Sequence, residues 1–202
     1  MEKGDRTYEK KDFLLQSAKA EFLKYGYEKA SLRNICKNAN VTTGALYFFF
    51  RNKADLFDSL VRDTALELQQ YVGEKLDLEL GDVYDHRTER GTNTKLIEYL
   101  YDNKDSITLL CDKSVGTKYE GYRQMVEKRV SAALNDHVSR KWGRTFDPVI
   151  YDLIARMRID CYANLLSREL SLEQACEIDQ SLFLWSYEGL KGMIEKNEDS
   201  LM

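Results

Sequence analysis

Residues 31–53 read SLRNICKNANVTTGALYFFFRNK, and the spacing within this stretch sets the architecture of the chain. Ser31 is a fitting N-cap: its hydroxyl accepts a backbone N–H of the first turn while Leu32, Ile35 and Ala39 form one inward apolar face. Asn40 tolerates the left-handed backbone that a tight turn needs. Thr42 or Thr43 then caps a second short helix running to about Phe48. Arg51-Asn52 interrupts it, and Asn52 caps a longer helix with Asp55 at its third position, a near relative of the capping box. Two short helices joined by a tight turn across Ser31–Phe48 have helix-turn-helix spacing. In the aromatic run Tyr47–Phe50 successive side chains point about 100° apart, so at most two share a face. Core packing of Leu46 and Phe50 is expected there rather than a base-stacking platform.

Working outward, Leu14, Ala18 and Phe22 recur every four residues between Asp12 and about Tyr25, and Gly26 follows where a helix ends in the left-handed conformation. Downstream, a helix from Lys53 to about Leu80 carries Leu56, Leu60, Ala65, Leu68 and Val72. Gly81–Thr94 has no apolar period and reads as a polar connection. Periodicity resumes at Lys95–Asn103, Ser106–Lys113 and about Tyr119–Lys141. Asp147-Pro148 opens a helix whose stripe is Ile150, Ile154, Met157, Cys161 and Leu165. The last helix, Ser171 to about Lys196, shows Ala175, Ile178, Leu182, Trp185 and Leu190. With no strand pattern and no internal repeat, the chain reads as all-α. An N-terminal three-helix head occupies residues 8–53 and a helical body residues 54–202.

Composition narrows the function. The 202 residues are 43% hydrophobic, too apolar for general disorder, and a single proline favours long helices. No apolar run approaches the roughly 18 residues of a membrane span, and Met1–Tyr8 lacks a signal-peptide core. A cytoplasmic chain with no membrane partner is expected. Cys36, Cys111, Cys161 and Cys176 are scattered singly and only His86 and His137 are histidines, so neither a metal site nor a cofactor is expected. Catalysis is not expected either, since neither histidine sits in a nucleophile–base pattern and no phosphate-binding or zinc-peptidase motif occurs. Residues 1–53 carry eleven Lys/Arg against six Asp/Glu, a net +5, and the remainder carries −9 within the overall −4. A basic front end on an acidic body suggests that one end meets a polyanion.

The helix from Thr42 begins with Thr42, Thr43 and Gly44, small residues that let a helix approach base edges. Tyr47, one turn on, has a hydroxyl that can donate to a phosphate. Lys53 puts a cation in the first turn of the next helix against the dipole, a cost that a phosphate at that end would reverse. The plainer reading of Lys53 is a solvated lysine offset by Asp55 and Asp58.

At Leu14-Leu15, Ala18, Phe22, Gly26-Tyr27, Ser31-Leu32, Ile35, Val41–Tyr47, Phe50, Lys53 and Leu56 the chain resembles the TetR family of bacterial transcriptional regulators. The resemblance covers about 45 residues. It implies a homodimer whose two recognition helices enter successive major grooves of a palindromic, double-stranded DNA operator. It places Thr42, Thr43 and Gly44 near bases, Tyr47 and Lys53 on phosphates, and Ser31 and Arg33 as further backbone contacts. Asn40 stands at the family's turn glycine. Phe49 stands where a phosphate-touching histidine is frequent, so that contact is expected to be either missing or replaced by Arg51.

The resemblance also implies that the last two long helices pair with those of a second copy, and that the body holds a small-molecule effector. Tyr99, Tyr122, Met125, Met157, Cys161 and Trp185 are the candidate lining residues. The function expected is a ligand-responsive repressor. The alternative is a helical interaction or adaptor module whose head no longer binds DNA, with Phe49 as its mark.

Overall fold

The computed structural model describes residues 2–72 and 92–199. Among the described residues there are nine helices and no strand. They are α1 (Glu2–Lys29), α2 (Leu32–Asn38), α3 (Thr43–Phe49), α4 (Lys53–Gln70), α5 (Thr92–Asp102), α6 (Lys104–Asp112), α7 (Tyr122–Trp142), α8 (Pro148–Ser167) and α9 (Leu172–Asp199). Most of the expected polar connection, residues 81–91, lies outside the described residues, and Thr92–Thr94 already belong to α5. The helix expected to reach Leu80 is described to Gln70, with a wider π-type turn at residues 71–72. No helix among the described residues is long and apolar enough to cross a membrane.

The chain divides into two compact units, Met1–Leu68 with Asn103–Gln124, and Gln69–Asp102 with Met125–Met202. The first therefore extends beyond the expected head at residue 53. It does so because α4 turns Leu56, Phe57 and Val61 into the same interior as the α1 stripe Leu14, Ala18 and Phe22. Phe57 packs edge-on against Phe22 at 5.1 Å and Tyr27 at 5.4 Å between ring centroids. Such pairs add to simple area burial.

Gly26 differs in kind from the expectation. Its φ of 73° is positive, but ψ of 166° puts it in an extended region open essentially to glycine alone, not in the left-handed helical one. The chain is kinked there rather than capped. The following Tyr27 N–H is freed from the helix and donates to the Lys113 carbonyl at 2.9 Å.

In the second unit α7, α8 and α9 enclose Val130, Leu134, Val138, Tyr151, Ala155 and Leu190. Asp147 caps α8 by accepting from Val149 N, and Ser171 and Gln174 exchange hydrogen bonds at the start of α9. The apolar stripes read from the sequence divide here between two faces. On α9, Ala175 and Leu190 are buried, whereas Ile178, Leu182 and Trp185 stand exposed. On α8, Tyr151 and Ala155 face the core, while Val149, Leu153 and Met157 form an outer stripe.

Candidate nucleic-acid interface

The interface is assembled by local hydrogen bonds that the sequence announces. Ser31 caps α2, its Oγ accepting from Asn34 N at 3.4 Å. Thr42, not Thr43, caps α3 by accepting from Ala45 N at 3.2 Å. Asn52 caps α4 by accepting from Asp55 N at 2.9 Å, and Asp55 returns the bond to Arg51 N. Asn40 adopts φ 53°, the turn conformation foreseen for it.

Two side chains the sequence reading passed over hold α2 in place. The buried Glu21 accepts from Ser31 N at 3.0 Å and from Asn34 Nδ2 at 3.4 Å. Ser17 donates to the Ile35 carbonyl at 2.9 Å. Glu21 lies next to the α1 stripe, where periodicity predicts an interior-facing residue, so a carboxylate at that register was its one visible signal.

Helix α3 is anchored by Leu46 and Phe50, both buried as expected. That leaves Thr43, Gly44, Tyr47 and Phe48 exposed, at positions i, i+1, i+4 and i+5 of one helical face. Thr42 and the cations Arg33, Lys37 and Arg51 are exposed as well, and Ser31 is half-buried. Beneath α3 the Cys36 thiol hydrogen-bonds the Thr43 side chain, and burial pushes its pKa above the ordinary thiol value. Phe49, the departure noted in the sequence, packs its half-buried ring between Phe48 and Phe50.

Lys53 is not the freely solvated lysine of the plainer reading. Its ammonium donates to the Glu28 carbonyl at 3.0 Å and lies 4.8 Å from the centre of the Tyr27 ring. The partially negative end of α1 thus compensates a cation placed against the dipole of α4. Burial lowers the Lys53 pKa, an effect Glu28 and Glu21 oppose. One of three ammonium donors is engaged in this way. Lys53→Ala is expected to lower thermal stability by about 1 kcal/mol and to reduce the log–log salt slope of DNA binding by about one unit. A changed melting temperature with an unchanged slope would make Lys53 a positioning residue only.

Residues 14–60 match the model for "Bacterial regulatory proteins, tetR family". That match spans 47 of the 202 residues, and over them the chain is similar to the TetR family. An uncharacterized HTH-type transcriptional regulator of Bacillus subtilis, YhgD, is 32% identical over 71 residues, 35% of this chain and 37% of that protein. The chain therefore matches little more than a third of that relative's length. The Corynebacterium glutamicum repressor AcnR is 22% identical over 178 residues, 87% of this chain and 91% of that one. In fold, a TetR-like transcriptional regulator from Rhodococcus sp. RHA1 superposes with a TM-score of 0.59 at 16% identity, over 91% of this chain and 96% of the other. TetR proteins are regulators rather than enzymes.

The second unit contains a cavity of about 220 Å³ among α7, α8 and α9. Met157, Cys161 and Trp185 line it together with Leu134, Tyr162, Asp179 and Phe183. Three of the six residues put forward for a ligand thus meet. Tyr122 does not join them: it is buried elsewhere, its hydroxyl donating to the Ala65 carbonyl at 2.9 Å. Tyr99 and Met125, both half-buried, are not part of the lining either. Within the wall, the Arg158 guanidinium stands 5.7 Å from the Phe183 ring and donates to the Tyr162 hydroxyl at 3.3 Å.

Proposed function

We propose that this chain is a transcriptional repressor that binds a palindromic operator as a homodimer and is released by a small-molecule effector. The observation that carries the reading is Gly44. It lies in α3 with ordinary helical backbone, and a Cβ there would meet only Thr42 Oγ1, at 3.9 Å. Glycine costs an exposed helix about 0.5–1 kcal/mol relative to alanine. Nothing inside the protein requires that cost, whereas close approach to a base edge does. Around it, the exposure of Arg33 and Arg51 supports phosphate contacts, with Ser31, Tyr47 and Lys53 as further ones and Thr42 and Thr43 at the bases. The repressor name of AcnR supports the sign of regulation.

The outer apolar stripes of α8 and α9 supply the self-complementary surface a two-fold dimer needs. The cavity is smaller than the usual ligand pocket, which favours a compact, mainly apolar effector with one or two polar groups. Such a ligand acts by favouring a dimer conformation that no longer fits two half-sites one helical turn apart.

The deciding experiment is a gel shift with palindromes adjoining the chain's own gene. Retardation at low ionic strength supports the assignment, and failure on every duplex overturns it. Gly44→Ala separates function from fold: thermal stability rises by about 0.5–1 kcal/mol, while operator affinity falls about tenfold, one 1.4 kcal/mol step. A variant that gains stability without losing affinity removes Gly44 from the interface.

A further inference from the structure

We propose that α3 reads its half-site chiefly through thymine C5-methyl groups, with the Phe48 ring as the methyl contact. The inference rests on the DNA-binding reading above and specifies the base chemistry it uses. Phe48 is 77% exposed, the most exposed of the large apolar side chains among the described residues. Its ring is nonetheless braced. It stands edge-on to Phe49, 5.1 Å between centroids at 84°, and Phe49 in turn lies 6.4 Å from the buried Phe50. An apolar ring rooted in the core through two neighbours and presented to water is poorly explained by packing within the chain.

The rest of the face agrees. Thr43–Phe49 contains no Arg, Lys, Asn or Gln, so α3 has none of the forked donors that pair with guanine or adenine. What it presents is the Thr43 methyl and hydroxyl, the Tyr47 hydroxyl and the Phe48 ring. Gly44 lies one turn before Phe48 on the same side of the helix, where its missing side chain leaves an open notch beside the ring. The major groove offers an apolar side chain one distinctive partner, the methyl group at C5 of thymine. The exposed cations Arg33, Lys37 and Arg51, on the segments before and after α3, hold phosphates and leave this short face to the bases.

The test replaces thymine by deoxyuridine, position by position, in an operator the protein binds. That exchange deletes only the methyl. At the position facing Phe48, affinity is expected to fall about fourfold per methyl, and roughly fifteenfold for a symmetry-related pair in a palindrome. Phe48→Ala should bind the thymine and deoxyuridine operators alike at that position. Changes under twofold at every thymine, in an operator bound tightly by the unaltered protein, would overturn the proposal while leaving DNA binding intact. Retained discrimination in Phe48→Ala would transfer the role to Thr43 and overturn the assignment to the ring. Absence of binding to any duplex would remove the functional reading on which it stands.

Discussion

Trp185→Asp is expected to convert the protein from a species of twice 23.6 kDa to one of 23.6 kDa in sedimentation, and to lower operator affinity by a hundredfold or more. Trp185 is 66% exposed in the single chain, and Ile178 and Leu182 extend the same outer stripe of α9. Water-exposed apolar side chains aligned on two adjacent helices are the composition of an interface core. A carboxylate introduced there is buried without a partner when two copies meet, and that penalty falls on association rather than on the fold of one chain. On the proposed dimer the loss of DNA affinity is expected to be large, because two linked heads would occupy a palindrome with the second half-site already at high effective concentration, an advantage a single chain lacks. Trp185 also borders the cavity, so Leu153→Asp on the outer stripe of α8 is the companion variant, being exposed and away from that lining. Helical circular dichroism should be retained in both. If both remain dimers, the second copy meets this chain through another surface.

The second large effect concerns Asp58. This buried carboxylate accepts from Tyr119 Oη at 2.6 Å, pairs with Lys118 Nζ at 2.6 Å, and is bonded by the Arg62 guanidinium one turn along α4. Burial works against its ionised form, but the hydrogen bonds from Lys118, Tyr119 and Arg62 outweigh it and bring the pKa from 3.8 to about 2. Burial, and then the same carboxylate, push the Tyr119 hydroxyl far above its ordinary value, keeping it a proton donor. A carboxylate whose pKa is depressed on folding stabilises the native state above its unfolded value and loses that contribution as pH falls towards the folded one. A stabilisation of about 2 kcal/mol is therefore present at neutral pH and disappears between about pH 4 and pH 2. Asp58→Asn should cost about 2–3 kcal/mol at pH 7 and lower Tm by roughly 5–10 °C. Its acid unfolding should be less steep than that of the unaltered protein over the same interval. Equal stability of the two proteins in urea at pH 7 would show that the network contributes nothing net.

Legibility in the sequence followed the range of the interaction concerned. Caps at Ser31, Thr42, Asn52 and Asp147 were readable because each bonds an N–H two or three residues away. The α1 stripe was readable because Leu14, Ala18 and Phe22 repeat with the helix, and all three are fully buried. Positions requiring unusual backbone were located correctly at Asn40 and Gly26, although the conformation at Gly26 depended on a carbonyl at Lys113. The engagement of Lys53 with the Glu28 carbonyl, 25 residues back, had no local signature. Nor did the pairing of Asp58 with Tyr119, 61 residues on.

The all-helical architecture and the helix-turn-helix were thus inherent in the order of residues, because helical periodicity and capping act within a turn or two of the chain. The inward and outward faces of α8 and α9 were not. Both helices carry apolar side chains on adjoining sides, and hydrophobic patterning alone cannot distinguish a residue turned to its own core from one turned to a second copy. That choice came from packing: α7 occupies one side of each helix and buries Ala155 and Leu190, leaving Leu153 and Trp185 in water. The cavity that gathers Met157, Cys161 and Trp185 arose in the same way, from the meeting of three helices whose contacts no single segment encodes.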